Sequence, residues 1–227
     1  MITRSPAPPP AVEDARLRLL RAGLRLFAQQ GFAKTSTREL AEAASVNVAA
    51  ISYYFGDKAG LYRTAFFEPM GQVEDDLARF TSPGLGLAQA LRGFYAGFVE
   101  PLRQGDEARL CMKLQFREML EPTGLWQETV ARGIQPLHDA LLALLARHLR
   151  LATPDRELQR LAVCLAGLGV HLHVGRDITD QVAAGLNDGA MALDEWADGL
   201  TRYALVLVQA EAARRGLPVP GAEGTAP

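Results

Sequence analysis

The stretch Ser36–Tyr62, STRELAEAASVNVAAISYYFGDKAGLY, contains short helical patterns that are separated by brief interruptions. Ser36 and Glu39 have the spacing of a capping box, in which each side chain bonds a backbone N–H of the other residue. This pair predicts that a helix starts at Thr37 and runs through TRELAEAA. Its apolar residues recur at helical spacing, as expected for a helix with one face in a core.

A second short helix is expected after the interruption at residues 45–47. Asn47 is a favourable N-cap, which predicts a helix over residues 48–55. Gly56 ends this pattern, and Asp57 caps a third helix. Two helices of about two turns each, joined by about three residues, are typical of a helix-turn-helix, whose second helix can lie in the major groove of DNA.

The second helix predicts an unusual way of reading bases. Residues 48–55 include no Arg, Lys, Gln or Asn, so the common bidentate base readers are missing. We therefore expect specificity from apolar contact with thymine methyls, from tyrosine hydroxyls and from DNA shape. Phosphates are expected to be held by Thr37, Tyr54 and Lys58, helped by the amino ends of their helices. Ile51 and Phe55 are expected to face the core. The expected DNA contacts are Thr37, Asn47, Val48, Ala49, Ala50, Ser52, Tyr53, Tyr54 and Lys58.

The blocks LFAQQGF, TSTRELAEAA, NVAAISYYF and DKAGLY occur in this order over about the first third of the chain. In order and spacing they resemble the DNA-binding domain of the tetracycline-repressor (TetR) family. Ser45 departs from the pattern, because the family often has glycine in this turn. A left-handed backbone at a serine would cost about 1 kcal/mol. Farther on, REMLEP resembles a stretch of the CecR-like subgroup of this family.

The charge distribution supports a nucleic-acid partner for the first part of the chain only. Residues 1–70 hold 9 Lys and Arg against 6 Asp and Glu, a net charge of +3. Residues 71–227 hold 15 against 20, a net charge of −5. The basic part is the part that contains the helix-turn-helix pattern.

The whole chain is predicted to be all-α, with about nine helices, since neither a strand pattern nor an internal repeat stands out. An amino-terminal helix is expected over residues 12–30 and ends at Gly31. With the family resemblance, we expect a disordered arm (1–11), a three-helix helix-turn-helix domain (12–66), a larger helical effector-binding and dimerisation domain (67–216) and a disordered tail (217–227).

Two late helices, expected over residues 155–174 and 193–215, are apolar on more than one face. Such helices must be covered on both sides, either within one subunit or by a second one. In the resembled family the last two long helices pair with their twins as a four-helix bundle, so a homodimer is expected. The expected interface residues are Leu161, Leu165, Leu168, Leu172, Leu200, Tyr203 and Leu207.

A small organic effector is implied by the resemblance, and an apolar cavity would be its site. The candidate lining residues are Phe94, Phe98, Met112, Phe116, Glu118, Trp126, Cys164 and His171. Such a set of apolar residues is more often plain core, and a histidine in this position is more often structural. His171 and His173 are two apart on a helix and do not share a face, so no metal site is expected. The two cysteines are expected to be reduced thiols.

The resemblance implies a transcriptional repressor that leaves a near-palindromic operator when the effector binds. Two alternatives remain open: a DNA-binding activator, and a factor that ignores ligands. An enzyme is not expected, because no G-x-S-x-G, Walker loop, dinucleotide glycine pattern or H-E-x-x-H occurs. No cofactor is expected. The chain has no stretch of 18 apolar residues and no signal core, so a cytoplasmic protein is expected.

Overall fold

A computed structural model describes residues 11–68, 73–103 and 105–218 of the chain. All regular structure in these residues is helical, as predicted. The helices form two compact units, one of Met1–Met70 with Asp106–Leu125 and one of Gly71–Gly105 with Trp126–Pro227. The predicted disordered arm and tail lie almost wholly outside the described residues.

The helices follow one another along the chain with short connections. In order they are α1 (Ala11–Gln30), α2 (Thr37–Ala43), α3 (Ala49–Phe55), α4 (Lys58–Phe67), α5 (Val73–Thr81), α6 (Leu87–Arg103), α7 (Asp106–Leu120), α8 (Trp126–Thr129), a π-helical turn (Val130–Ile134), α9 (Gln135–His148), α10 (Arg156–Val174), α11 (Arg176–Val182) and α12 (Ala192–Arg214).

The first unit is a helical domain whose core is drawn from α1 to α4 and α7. Phe27, Leu40, Ile51, Leu61 and Phe66 are all fully buried in it. These side chains come from four different helices, so each short helix is stabilised by packing and not by its own length.

Local signals start and stop these helices as the sequence predicts. The Ser36 hydroxyl accepts the Glu39 N–H at 3.1 Å, and the Glu39 carboxylate accepts the Ser36 N–H at 2.8 Å, which completes the capping box. Asp57 caps α4 by accepting the Gly60 N–H at 2.7 Å. Ser45 has a φ of 53°, so the expected left-handed turn residue is confirmed.

Helix α7 belongs to the first unit, whereas the sequence placed all residues after 66 in the second domain. Leu114 and Cys111 are buried in the core of the first unit. The side chain of Arg117 donates to the Gln29 carbonyl at 3.3 Å. Helical periodicity shows that α7 has a packing face, but it does not say which partner covers that face.

The second unit is built on α6, α9, α10 and α12, whose leucines and alanines form one continuous core. The buried hydroxyl of Tyr95 donates to the Leu165 carbonyl at 3.1 Å and ties α6 to α10. Gly169 lets these two helices approach closely, because an added Cβ would lie 2.6 Å from the ring of Phe98.

The sequence predicts a long helix over residues 125–150 with an interruption near Gly133 and Pro136, and the structure has a π-helical turn, Val130–Ile134, at that place. Two differences from the predicted helices occur farther along the chain. Helix α10 is capped by Asp155, which accepts the Leu158 N–H at 2.9 Å, and not by Thr153 as predicted. Helix α11 was not predicted, and it lies in a stretch that was interpreted as a polar connection.

Candidate nucleic-acid interface

The outer face of α3 presents small, apolar and hydroxylic side chains to solvent. Tyr53 is 82% exposed and Val48 is 44% exposed, while Ala49 and Ser52 are also exposed. On the opposite face Ile51 is only 1% exposed, which fixes the helix on the core. The exposed face therefore has the composition that the sequence predicts for contact with thymine methyls and DNA shape.

The amino end of α3 is set by Asn47. Its side-chain oxygen accepts the Ala49 N–H at 2.9 Å, and its carbonyl accepts the Ala50 N–H at 2.9 Å. The helix therefore begins at Ala49, one residue later than predicted. Asn47 therefore shapes the start of the helix through its side-chain oxygen, and its side-chain N–H groups can still donate to DNA.

Ala50 and Tyr54 lie at the border between the core and the outer face of α3. Both are half-buried and pack against the core of the first unit. The ring of Tyr54 meets the ring of Tyr53 edge-on, with centroids 4.8 Å apart. This contact supports the exposed Tyr53 ring from one side, so the two tyrosines form one small aromatic ridge.

Thr37 is exposed at the first position of α2, beside the capping box. The neighbouring Glu39 carboxylate has a lowered pKa, because hydrogen bonds from the Ser36 backbone and then from its hydroxyl favour the ionised form. Glu39 is thus committed to the cap, and Thr37 remains available to an outside phosphate.

Lys58 was predicted to hold a phosphate, and the structure gives it an internal contact instead. Its ammonium group donates to the carbonyls of Phe32 and Thr35, both at 3.0 Å. It also lies over the ring of Phe32, 4.2 Å from the centroid. This half-buried lysine therefore joins α4 to the loop before α2, with two of its three N–H donors already used.

Lys34 and Arg38 were missed by the sequence reasoning. Both are exposed, they are four residues apart, and they flank the start of α2 beside Thr37. Several other cations of the first unit have acidic partners, such as Arg16 with Glu68 at 2.7 Å. Lys34 and Arg38 could have been identified as phosphate contacts from their position at the start of α2, the helix before the predicted reading helix.

The eight residues predicted for an effector cavity are divided between the two units. Met112, Phe116 and Glu118 are on α7 in the first unit, whereas Phe94, Phe98, Trp126, Cys164 and His171 are in the second. Glu118 is fully buried and accepts hydrogen bonds from the Tyr62 hydroxyl and from the N–H groups of Thr123 and Leu125. It is a structural carboxylate, and its predicted role in tuning a cavity is a misassignment.

An aromatic cluster of the second unit keeps two of the predicted residues together. The ring of Phe94 lies 5.4 Å from the ring of Phe98, and His173 lies 2.9 Å from the Phe98 carbonyl through its Nε2. His173 therefore belongs to this cluster. His171, which was the predicted residue, is exposed on another side of α10, as is Cys164.

The outward faces of α10 and α12 differ from the predicted interface. Leu165, Leu172 and Leu200 are buried in the core of their own unit, so these three are corrected to core residues. Leu161 and Leu168 are half-buried, whereas Tyr203 and Leu207 are exposed. The exposed residues that the sequence missed on these helices are Val163, Val174 and Val206.

Other features of the second unit bear on alternative functions. A surface groove of about 510 Å³ along α9 is lined by Asp139, Leu142, Ala143, Ala146, Arg147, Leu151, Ala152 and Pro154, and the predicted effector residues lie elsewhere. In the described part of the chain, no group of three or more His, Cys, Asp or Glu is placed to hold a metal ion. No single described helix is long and apolar enough to cross a membrane, although the bent pair α10 and α11 passes by length and composition together.

Comparisons with known proteins match both parts of the chain. Residues 87–210 match a model of the C-terminal domain of the HTH-type transcriptional dual regulator CecR, and residues 19–65 match the model of the bacterial regulatory proteins of the tetR family. CecR of Shigella flexneri is 31% identical over 145 residues, which cover 59% of this chain and 64% of that protein. The HTH-type transcriptional regulator AcrR of Shigella flexneri is 44% identical over 110 residues, which cover 47% and 50%.

Among solved structures, a TetR-like transcriptional regulator from Rhodococcus sp. RHA1 is similar with a TM-score of 0.56 and 25% identity. The match covers 88% of this chain and 96% of that one. The chain spans between 50% and 64% of the length of the two curated relatives.

Proposed function

Because the chain belongs to the TetR family of bacterial regulatory proteins, with a C-terminal domain of the CecR type, we propose that it regulates transcription by binding operator DNA as a dimer. The observation that supports this most directly is α3. Its core side is fixed by Ile51, and its outer side offers Val48, Ser52 and Tyr53 to a partner. Two such helices, spaced by about 34 Å or one DNA turn, read a near-palindromic site.

In the proposed complex the first unit divides its contacts by type. Lys34, Thr37 and Arg38 hold phosphates at the start of α2 and set the register of the protein on the duplex. Tyr53 and Val48 then contact base edges and thymine methyls in the major groove. Because no strong bidentate reader is present on α3, the sequence-independent phosphate contacts supply a large share of the affinity.

The second unit is proposed to bind a small organic effector near Phe94, Phe98 and His173. Aromatic rings supply the apolar surface that commonly lines ligand sites, and His173 lies beside them with its Nε2 at the Phe98 carbonyl. The effector acts by favouring the conformation of the dimer that does not fit the operator. Such a switch needs only a difference in affinity between two states, worth a few kcal/mol.

The DNA proposal is tested with the fragment upstream of the protein's own coding sequence. Fluorescence anisotropy with a salt titration is expected to show tight, salt-sensitive binding. Tyr53→Ala is expected to weaken binding by about tenfold, a loss of about 1.4 kcal/mol, since it removes a base contact. Tyr53→Phe separates the hydroxyl from the ring. Equal affinity of Tyr53→Ala and the native protein for the fragment would contradict this reading geometry.

A regulator that also activates is the second candidate, because CecR is described as a dual regulator. In vitro transcription from the bound fragment separates the two, since a repressor lowers the transcript and an activator raises it. Gel shifts with candidate aromatic compounds test the effector proposal independently. A ligand-independent factor would remain bound to the DNA in the presence of every compound, and an enzyme without DNA-binding activity would not shift the DNA at all.

A further inference from the structure

Helix α11 is held in place by a chain of polar contacts. The side-chain amide of Asn187 donates to Asp180 at 2.5 Å, and the indole N–H of Trp196 donates to the side-chain oxygen of Asn187 at 2.8 Å. On α11 itself, the guanidinium of Arg176 lies 3.8 Å from the Asp180 carboxylate. Trp196 is half-buried in α12 against the core, so this chain of contacts fixes one edge of α11 to the second unit.

The opposite edge of α11 is apolar and exposed. Ile178 and Val182 are 63% and 78% exposed. Each is two residues from Asp180, and two residues correspond to about 200° around a helix. They therefore lie on the side away from the anchored edge. Ile178 and Val182 are thus two large aliphatic side chains that a fixed helix holds outward and that nothing covers in a single copy of the described chain.

This edge continues a run of exposed apolar residues that begins on α10. Val174 at the end of α10 is 55% exposed, and Ile178 and Val182 follow it at intervals of four residues across the 76° bend between α10 and α11. Earlier on α10, Val163 is 62% exposed. The exposed apolar residues thus run from α10 onto α11 without a polar residue replacing them at that spacing.

The large apolar residues that are exposed on α10 and α12 are Val163, Val174, Tyr203, Val206 and Leu207. The edge of α11 adjoins the end of α10 and adds Ile178 and Val182 to this exposed apolar surface.

We propose that α11 is an arm of the subunit interface, whose Ile178 and Val182 pack against a second copy of this chain. This inference rests on the proposed dimeric function and adds a contact region to it. The polar contacts of Asp180, Asn187 and Trp196 hold the arm in position before association, so little conformational entropy is lost when the second copy binds.

The test measures dimer dissociation by analytical ultracentrifugation of the full chain over a dilution series. Ile178→Ser with Val182→Ser is expected to raise the dimer dissociation constant at least about tenfold, because both copies lose two buried aliphatic side chains. Gln181→Ser is the matched control on the same helix and is expected to leave the constant unchanged. Circular dichroism checks that all variants keep their helical content.

Other outcomes overturn the inference in distinguishable ways. In one such outcome, Val163→Ser with Val206→Ser weakens the dimer while the α11 double variant associates like the native protein. That result would support the proposed dimer and contradict the contact between α11 and the second copy. A native chain that stays monomeric at micromolar concentration defeats both the arm and the proposed dimer. A further measurement uses vesicles of phosphatidylcholine and phosphatidylglycerol. If the α11 double variant loses the vesicle binding of the native protein and still dimerises like it, Ile178 and Val182 contact a membrane surface and the proposed interface contact is wrong.

Discussion

The hydroxyl of Tyr62 on α4 donates a 2.8 Å hydrogen bond to the carboxylate of Glu118 on α7, which is fully buried. The same carboxylate accepts the N–H groups of Thr123 at 2.7 Å and Leu125 at 3.1 Å. A buried carboxylate is tolerated only when its oxygens are paired, and here the pairing joins α4, α7 and the loop after α7. Burial first, and then the contact with Glu118, raises the pKa of Tyr62.

Tyr62→Phe is expected to destabilise the first unit by about 1.5–3 kcal/mol, since it removes one donor from a charged, buried acceptor. Urea unfolding followed by circular dichroism measures the loss. Tyr53→Phe is the matched control, because the ring of Tyr53 is exposed and its substitution should leave stability unchanged. Equal midpoints for native protein and Tyr62→Phe would show that the hydrogen bond contributes nothing.

Lys58 and the pair Lys34 and Arg38 are expected to differ in how they affect DNA binding. Lys34→Ala and Arg38→Ala should each reduce the slope of log affinity against log salt by about 0.9, since each removes one phosphate contact. Lys58→Met should leave that slope unchanged and lower the thermal stability of the first unit, because two loop carbonyls lose their donor. Lys113→Ala, another exposed cation of the first unit, is the control for net charge. A reduced slope for Lys58→Met would restore the original phosphate assignment.

Ser45→Gly is expected to stabilise the first unit by up to about 1 kcal/mol, because glycine adopts the left-handed backbone without a steric penalty. The observed φ of 53° at Ser45 is the basis of this expectation. Ala43→Gly, two residues earlier in α2, should instead lower the free energy of unfolding by about 0.5–1 kcal/mol, because glycine is unfavourable in a helix. Thermal unfolding of the two variants measures the contrast. The same sign for both would mean that the turn carries no strain.

Features that depend on nearby residues could be predicted from the sequence. The capping box of Ser36 and Glu39 and the Asp57 cap are set by local spacing, and the structure has them where they were expected. The exposed face of α3 also follows from local pattern, because Ile51 has to reach the core and the intervening residues then point outward.

Features that depend on distant partners could not be predicted. Glu118 was assigned to an effector cavity because its partner Tyr62 is 56 positions away in the chain. Lys58 was assigned to a phosphate because the carbonyls that it contacts, those of Phe32 and Thr35, are 26 and 23 residues earlier in the chain and no local pattern connects them to it. Helix α11 carries no buried residue of its own and depends on the contacts of Asn187 and Trp196, so its sequence resembles a loop.

His173 and the Phe98 carbonyl are expected to make the stability of the second unit depend on pH. Burial lowers the pKa of His173, and the hydrogen bond to the Phe98 carbonyl opposes that shift only in part. The unfolded chain therefore takes up a proton at this side chain before the folded protein does. Free energy of unfolding is gained as pH rises through this range and is lost as pH falls below the ordinary histidine value of about 6.5.

His173→Gln is expected to remove this contribution, because glutamine can still donate to the Phe98 carbonyl and does not titrate. The difference in free energy of unfolding between native protein and variant should therefore shrink as the pH is lowered from 7.5 to 5. His148 also has a pKa lowered by burial and then by Arg147, but it is present in both proteins and cancels in the difference. His171→Gln on the exposed side of α10 is the control. Parallel stability curves for native protein and His173→Gln would show that this histidine has no part in the acid sensitivity.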